Sequence, residues 1–452
     1  MHLPRIVIAG ERSGAGKSTV TLGILKALED RGIHTQPFKT GPDYLDPMHH
    51  VQATGRPSRN LDTWMFPGAV RQLFCTAAAN ADISVIEGVM GLYDGVDGTH
   101  EEGSTAHLAK MLDAPVILVI DAGGSARSAG AVALGFATYD PDIRLAGVIF
   151  NNVGSATHLT MLAASLRGVR CLGGLPREQD IGLSSRHLGL VPAAEDPDTG
   201  RYARMAQLVE ANIDLDALIT IAEGAADFGG QPPSLAHADG THRARIGVAT
   251  DSAFNFYYAD NLDMLRAQGA TLVPFSPLEG TFPDVDGAYF GGGFPELHAA
   301  RLAANRQMIS AVRLACSDGM PVLAECGGLM YLSRNVRDFD GTKHRMAGVF
   351  DATVEMTRSL QALGYVETTC IRDTPLARRG TGVRGHEFHY SRITESTEED
   401  YAYYHRRGHG IAEGYDGFVS HETVASYLHI HFGALPAMAE RFVEACAAHA
   451  RR

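Results

Sequence analysis

The feature that most constrains this 452-residue chain is a glycine-rich loop between a strand pattern and a helix pattern near its start. Residues 5–9 are largely apolar, and after the loop an amphipathic helix pattern continues to about Gly32. In such a loop the backbone amides turn inward around phosphate oxygens, the lysine bridges the terminal phosphates and the next hydroxyl faces magnesium. The pattern therefore predicts a nucleotide site formed by Gly14, Ala15, Gly16, Lys17, Ser18 and Thr19.

The spacing of this loop departs from the strict phosphate-loop pattern. Glu11 stands where that pattern has its first glycine, and Gly10 comes one residue earlier. The loop resembles the branch of phosphate-loop proteins that includes dethiobiotin synthetase and the septum-site ATPases, with Arg12 at the place of that branch's signature lysine. The alternative is a glycine-rich turn with an incidental Lys-Ser pair, which the flanking strand and helix patterns disfavour.

Composition limits the functions open to the chain. The net charge of -13 argues against nucleic acid or a membrane surface as a partner, so an anionic ligand has to be met by a local cluster of basic side chains and amides. We see no apolar run of membrane-spanning length and no signal peptide, and we expect a cytoplasmic protein. The six cysteines form no Cys-x-x-Cys pair and are expected to be free thiols.

Apolar strand patterns alternate with helical stretches in both halves, which predicts two α/β domains with parallel sheets. Residues 224–243 are rich in Gly and Pro, so we predict domains at 1–223 and 244–452 joined by a linker at 224–243. A helix is expected over 202–223. The strands are expected at 5–9, 34–38, 83–86, 115–120, 145–150, 246–249, 271–275, 288–290, 321–324 and 426–432.

Further candidates for the nucleotide site follow strand patterns in the first half. Glu87 ends a buried strand, the place from which phosphate-loop folds reach magnesium, and is our second metal contact beside Ser18. In the loop from 39 to 47, Lys39 is predicted to stabilise a transferring phosphoryl group, and Asp43 or Asp46 to complete the metal shell. A solvated turn with capping aspartates is the alternative. Asn151 is a candidate for an adenine edge, although turn capping explains it equally well.

Cys326 has the surroundings of a nucleophile elbow in the second half. It follows an apolar strand pattern and precedes two glycines and a helix pattern, which would point its N-terminal dipole at a thiolate. A buried core thiol is the alternative. His429, in the last apolar strand pattern, is the predicted general base, with His431 as the competing candidate. The predicted oxyanion hole is a loop of consecutive glycines, namely Gly291, Gly292 and Gly293.

Two further groups of residues have weaker signals. The pair His386 and His389 has the wrong spacing for a zinc motif on a helix, so we expect a structural or substrate-contacting loop there and no metal. The basic segments 403–407 and 55–60 are either ordinary surface or places that receive an anionic substrate.

Together these motifs resemble the cobyrinic or hydrogenobyrinic acid a,c-diamide synthases over essentially the whole chain. The resemblance implies an N-terminal phosphate-loop NTPase domain of the dethiobiotin-synthetase type and a C-terminal class I glutamine amidotransferase-like α/β domain. The segments that carry it are Lys39 to Pro47 (KTGPDYLDP), Gly55 to Asp62 (GRPSRNLD), Glu87 to Gly95 (EGVMGLYDG), Gly291 to Glu296 (GGGFPE), Gly385 to Ser391 (GHEFHYS) and Tyr427 to Phe432 (YLHIHF).

The resemblance implies amidation of the a and c acetate side chains of a corrin ring, with ATP, Mg²⁺ and glutamine. It makes Cys326 the glutaminase nucleophile and His429 its base. Related amidotransferases have an acid two residues after this histidine, where the present chain has His431. Because a carboxylate is a poor acyl donor, we expect an acyl phosphate intermediate, and ammonia that travels by a sheltered route. A homodimer is left open as the assembly.

Three alternatives stay open from the sequence. A regulatory or partitioning ATPase would use the phosphate loop for dimerisation, and Arg12 gives it slight support. Within the enzyme class, nickel-sirohydrochlorin a,c-diamide synthase and cobyric acid synthase are the alternatives.

Overall fold

The computed structural model describes residues 1–178, 181–183, 185–186, 189–195, 198, 200–228 and 242–451. The chain divides into two compact units, Met1–Pro233 and Ser234–Arg452. Of the predicted linker at 224–243, residues 229–241 lie outside the described part of the chain. No helix in the described part is both long and apolar enough to cross a lipid bilayer.

The first unit is built on a seven-stranded sheet whose strands are all parallel. The strand before the phosphate loop lies at its centre and is fully buried, as its apolar run requires. The order is β3-β2-β4-β1-β5-β6-β7. The strands are β1 Arg5–Gly10, β2 Thr35–Thr40, β3 Arg59–Leu61, β4 Ile83–Glu87, β5 Val116–Asp121, β6 Leu145–Val153 and β7 Arg170–Pro176.

Helices cover this sheet, and the first of them begins directly at the phosphate-loop lysine. A small hairpin, β8 Ser185–Arg186 and β9 Gly189–Leu190, and a 3-10 turn at Ala193–Glu195 follow β7. The helices are α1 Lys17–Asp30, α2 Leu45–Thr54, α3 Val70–Ala78, α4 Thr105–Met111, α5 Arg127–Tyr139, α6 Ala156–Ser165, α7 Arg201–Asn212 and α8 Leu215–Glu223.

The predicted single helix over 202–223 is wrong, because the chain forms two helices there. Ile213 leaves α7 with extended backbone, and the Asp214 side chain accepts a hydrogen bond from the Ala217 amide at 2.9 Å. An aspartate that caps a new helix stabilises this break. Residues 224–228, at the start of the predicted linker, pack on the first unit: the buried Arg5 donates to the Ala226 carbonyl at 2.7 Å.

The second unit contains a nine-stranded mixed sheet and a four-stranded sheet, with orders β11-β10-β12-β13-β22-β21-β20-β17-β18 and β15-β14-β16-β19. The first five strands of the larger sheet run parallel and the others antiparallel. The strands are β10 Ala244–Ala249, β11 Ala270–Phe275, β12 Gly287–Phe290, β13 Val322–Glu325, β14 Ser333–Arg337, β15 Lys343–Arg345, β16 Phe350–Met356, β17 Ala362–Cys370, β18 Gly382–His389, β19 Ser391–Ser396, β20 Tyr401–Arg407, β21 Tyr415–Ser420 and β22 Thr423–Ser426.

Short helices follow the parallel strands of this unit, which places several loops at the carboxyl ends of β10, β12 and β13. Two 3-10 turns, Pro295–His298 and Phe432–Ala434, lie in these connections. The helices are α9 Ala259–Ala267, α10 Ala299–Ala304, α11 Arg306–Ser317, α12 Gly327–Leu332 and α13 Ala437–His449. The α/β fold class is thereby confirmed in both units.

Two local predictions for this unit are wrong. The expected strand over 426–432 ends at Ser426, and the segment that follows pairs only through a bridge between His429 and His386. The segment around His386, expected as a loop, is the edge strand β18. Both deviations involve the same contact, because His386 of β18 forms the backbone hydrogen bonds to His429.

Candidate active sites

The phosphate loop connects β1 to α1 and is shaped by two glycines in the left-handed region, Gly14 at φ +76° and Gly16 at φ +97°. A Cβ on Gly16 would lie 2.0 Å from the Asn151 side-chain nitrogen, so no other residue fits there. The Lys17 ammonium donates to the carbonyls of Arg12 and Met90. Burial and the nearby Lys39 charge lower the pKa of Lys17. The loop borders a pocket of about 450 Å³.

Two of the predicted nucleotide contacts are engaged within the protein. The Asn151 side chain donates to the Ala15 carbonyl at 3.1 Å, so one of its N–H groups holds the phosphate loop, and its contact with an adenine edge stays a prediction. Arg12 donates to the Asp121 carboxylate at 2.7 Å, at the carboxyl end of β5. Asn151 is therefore bonded to the loop backbone, and Arg12 is bonded to the end of β5.

A buried lysine among carboxylates forms the floor of the same pocket. The Lys39 ammonium donates to Asp46, to Glu87 at 2.9 Å and to the Gly88 carbonyl at 3.3 Å, and it lies 3.9 Å from Asp43. These three acceptors use all three N–H groups of the lysine. Lys39 therefore neutralises the carboxylates, and a direct bond to a phosphoryl group would require it to release one of them.

The charges of this cluster are strongly perturbed. Burial would lower the pKa of Lys39, but Asp46 and Glu87 raise it above its ordinary value. Burial would raise the pKa of Glu87, but Lys39 and His50 bring it well below the usual range. For Asp46, burial and the Glu87 charge raise the pKa. The surroundings therefore favour the ionised form of Glu87 more than that of Asp46.

Sequence reasoning missed three residues that support this cluster. The fully buried His50 on α2 joins the Glu87 carboxylate at 2.8 Å and the Ser58 hydroxyl at 2.9 Å through its two ring nitrogens. Asn60 donates to the carbonyls of Gly41 and Asp43 at 2.9 and 2.7 Å. Ser58 and Asn60 belong to the GRPSRNLD segment, which thus supports the Lys39 loop, whereas a histidine in a helix carried no recognisable signal.

The predicted metal contacts lie together at this pocket. The Ser18 hydroxyl donates to Glu87 at 2.7 Å, and Asp43 and Asp46 line the same space. In the described part of the chain no group of three or more His, Cys, Asp or Glu side chains could hold a metal by itself. Mg²⁺ prefers oxygen ligands and commonly takes one or two carboxylates with substrate phosphates, so Ser18 and Glu87 fit this ion.

In the second unit, Cys326 occupies a strained turn between β13 and α12. Its backbone has φ +47° and ψ -93°, which residues with a Cβ rarely adopt. Its amide donates to the Ser426 carbonyl at 2.7 Å. A Cβ on Gly328 would lie 2.4 Å from the Phe290 carbonyl oxygen, so the turn requires a glycine there. This strand, strained turn and helix have the geometry of a nucleophile elbow, and the role of Cys326 as the nucleophile stays a prediction.

The glycine loop borders this turn, although its three amides differ. The Gly291 amide donates to the Tyr257 hydroxyl at 2.8 Å, so the predicted oxyanion role of Gly291 does not fit. A Cβ on Gly292 would lie 2.8 Å from the His429 ring, and one on Gly327 would lie 3.2 Å from the Gly293 amide nitrogen. Gly292 and Gly293 therefore lie beside the Cys326 turn.

His429 is buried and faces both Cys326 and Glu325. Burial would lower its pKa, but hydrogen bonding to Cys326 and the contact with Glu325 raise it to about 9. The His386 ring lies nearly parallel to it, with centroids 4.9 Å apart. Burial, and then the charge of His429, bring the pKa of His386 well below its usual value. The surroundings therefore favour the neutral form of His386 and the protonated form of His429.

His431, the competing base, has other partners. Its Nδ1 accepts a hydrogen bond from the Gly433 amide at 3.0 Å, and its Nε2 lies 3.4 Å from Asp260. It thus caps the 3-10 turn that follows the His429 segment. This geometry favours His429 over His431 as the group that acts on the Cys326 sulfur.

The GHEFHYS segment holds the His429 backbone. Amides and carbonyls of His386 and His429 exchange hydrogen bonds at 3.1 and 2.8 Å. A Cβ on Gly385 would lie 2.3 Å from the His429 carbonyl oxygen, which explains this glycine. The His389 ring stacks on Tyr427 at 3.7 Å. These contacts give the segment a positioning role.

Comparison with known proteins assigns a known domain family to each unit. A model of the CobQ/CobB/MinD/ParA nucleotide binding domain matches residues 6–191, and a model of the CobB/CobQ-like glutamine amidotransferase domain matches residues 245–436. The chain is thus a glutamine amidotransferase that carries its own phosphate-loop nucleotide-binding domain.

Curated relatives match over nearly the whole chain. The cobyrinate a,c-diamide synthase of Methanothermobacter thermautotrophicus is 41% identical over 97% of this chain and 98% of its own length. Those of Listeria monocytogenes and Syntrophotalea carbinolica are each 43% identical, over 95% and 99% of this chain and 96% and 99% of their own lengths. The chain belongs to the cobyrinate a,c-diamide synthase family, and it is a glutamine-hydrolysing ligase.

Proposed function

We propose that this protein amidates the a and c acetate carboxylates of cobyrinic acid or hydrogenobyrinic acid, with ATP and glutamine, in cobalamin biosynthesis. The relatives named above supply the substrate class. The observation that carries the proposal is the strained Cys326 beside His429, in a chain that also holds a phosphate-loop pocket lined by carboxylates. One half releases ammonia and the other activates a carboxylate.

Ammonia release would begin with attack of the Cys326 sulfur on the amide carbon of glutamine. A C–S bond forms, the amide nitrogen takes a proton from His429, and the C–N bond breaks to release ammonia. Water then adds to the thioester, returns a proton through His429 and releases glutamate. The amides of Gly293 and Gly327, which lie beside the turn, are the proposed donors to the oxyanion.

Carboxylate activation would take place at the phosphate-loop pocket. An acetate oxygen of the corrin attacks the γ-phosphorus of ATP and ADP leaves, which gives an acyl phosphate. Ammonia attacks its carbonyl carbon, phosphate leaves and the nitrogen loses a proton to give the amide. Lys17 would stabilise the charge on the phosphoryl oxygens, while Lys39 would keep Glu87 and Asp46 paired and in position.

Magnesium is expected with ATP, and this pocket offers suitable ligands for it. Ser18 and Glu87 would hold the ion, with Asp43 and Asp46 around it, and His50 would keep Glu87 in its orientation. When bound, Mg²⁺ neutralises charge on the phosphate oxygens.

The test is to incubate the protein with ATP, magnesium and glutamine and with each of cobyrinic acid, hydrogenobyrinic acid and nickel sirohydrochlorin. We expect mass spectrometry to show two carboxylate-to-amide conversions in one of the first two. Conversion of nickel sirohydrochlorin alone would replace the proposed substrate. Glutamine-independent ATP turnover without any amidation would refute the proposal.

A further inference from the structure

The acid that orients the base of a glutaminase is absent two residues after His429, where His431 stands. A different carboxylate lies next to the base: Glu325, the last residue of β13 and the neighbour of the nucleophile in sequence. We propose that Glu325 is the positioning residue that holds and polarises His429. This inference rests on the proposed glutaminase function of Cys326.

Both oxygens of Glu325 are held in fixed places. Its Oε1 accepts a hydrogen bond from the Ile430 amide at 3.0 Å, and its Oε2 accepts one from the Tyr289 hydroxyl at 2.7 Å. The same Oε2 lies 3.8 Å from Nδ1 of His429. The carboxylate thus bridges the nucleophile strand and the segment that carries the base.

The burial of Glu325 indicates that its carboxylate needs a charged partner. Glu325 is 1% exposed, and an ionised carboxylate in such a place is costly unless an opposite charge and hydrogen bonds compensate. Tyr289 and the Ile430 amide are neutral donors, whereas His429 is a cationic partner. His386, which stacks on His429, is neutral and gives no competing charge.

A carboxylate at this place would have a defined chemical effect. It would keep a proton on Nδ1 of His429, so that Nε2 exchanges its proton with the sulfur or with the leaving nitrogen. As the acid of the serine-protease triad does, Glu325 would hold the ring in orientation and stabilise the imidazolium. It would not contact glutamine.

The decisive variant is Glu325→Gln, which keeps the size and a hydrogen-bonding oxygen but removes the charge. Loss of the equivalent acid in serine proteases lowers kcat by ~10⁴. Because Glu325→Gln keeps part of the hydrogen bonding, we expect a smaller effect here. The kcat of glutamine hydrolysis should fall about 10²- to 10³-fold, with KM nearly unchanged. The pH profile of glutamine hydrolysis should shift to lower pH as well, because the Glu325 charge raises the pKa of His429 and its loss lowers it. Amidation with ammonium chloride should stay within about twofold.

Matched controls separate this role from simple structural support. Asp260→Asn makes the same change beside His431 and should leave glutamine hydrolysis within about threefold of wild type. Glu325→Asp keeps the charge and should recover part of the lost rate. If Glu325→Gln fails to fold, Glu325→Asp becomes the test, because its shorter side chain moves the carboxylate away from His429. Glutamine hydrolysis by Glu325→Asp with the rate and pH profile of wild type would contradict the inference.

The outcomes distinguish the inference from the function on which it rests. If Cys326→Ala abolishes glutamine hydrolysis but folded Glu325→Gln keeps the wild-type rate and pH profile, the role of Glu325 is refuted and the glutaminase proposal stands. If Cys326→Ala still hydrolyses glutamine, the proposed function itself is wrong. Equal loss of activity with glutamine and ammonia in Glu325→Gln would show a general structural role and would also overturn the inference.

Discussion

The two units form their sites at the same kind of place, a turn from a parallel strand into a helix, but they shape that turn differently. In the first unit, glycines at positive φ let the backbone curve, and a buried cluster of charges lies below it. In the second, a non-glycine residue, Cys326, adopts the positive φ itself. A site for a polyanion depends on backbone shape and balanced charges, whereas a site for covalent chemistry depends on the placement of one side chain.

Replacement of the nucleophile should separate the two units most completely. Cys326→Ala removes the sulfur that forms the thioester, so we expect glutamine-dependent amidation to be abolished and ammonia-dependent amidation to remain within about twofold. The measurement is the rate of amide formation with each nitrogen donor. Equal loss with both donors would contradict the assignment of Cys326 to ammonia release alone, and Cys326→Ser should behave as Cys326→Ala does.

A change in the first unit should not depend on the nitrogen donor. Lys17→Ala removes charge stabilisation worth several kcal/mol, so amidation should fall about 10³-fold with glutamine and ammonia alike. Glutamine hydrolysis measured alone reports whether the second unit is still folded. A folded Lys17→Ala protein that keeps ammonia-dependent amidation would mean that the phosphate loop is regulatory.

The two histidines of the second unit offer an internal comparison. His429→Ala should lower glutamine-dependent amidation about 10²- to 10³-fold, because the general acid and base is lost. His431→Ala removes a cap on a 3-10 turn and should cost less than about tenfold. Amidation with ammonia is the control for both. The reverse order of the two effects would make His431 the base.

The raised pKa of His429 has a smaller effect, on stability. The folded protein keeps this proton up to about pH 9, whereas an unfolded histidine loses it near its ordinary value of about 6.5. The contribution of His429 to the free energy of unfolding is therefore complete below pH 6.5. It is lost as the pH rises to 9, by roughly 1–3 kcal/mol. Urea unfolding of wild type and His429→Gln at pH 6.5 and pH 9 measures this loss of stability. An identical pH dependence of stability in the two proteins would contradict the assigned pKa.

The parallel strands and both turns were predictable because their signals are local. Buried parallel strands such as β1, β4 and β13 read as short apolar runs, and glycine-rich turns follow them directly. The strands from β14 to β21, most of which pair antiparallel, gave no such signal, since their half-buried faces mix polar and apolar residues.

A residue of the candidate sites could be predicted from the sequence where its type and its immediate neighbours in sequence already indicate a chemical role. Cys326 and Lys17 meet that condition. His50 and Glu325 do not, because their roles arise from contacts made by the fold. His50 on α2 bonds to Glu87 at the end of β4, and Glu325 contacts the backbone and the base of a segment more than a hundred residues later. The Gly291 amide was misassigned because its acceptor, Tyr257, lies on another loop.

The positive φ of Cys326 has a consequence for how this sequence is maintained. A residue with a Cβ in that region costs on the order of 1–3 kcal/mol, and a glycine at the same position would avoid most of that cost. The protein with a glycine there would be more resistant to heat and urea, yet unable to take nitrogen from glutamine. If Cys326 is the nucleophile, the strain of this turn is a stability cost that the proposed chemistry requires, and a search for heat-resistant variants would select against activity at this position.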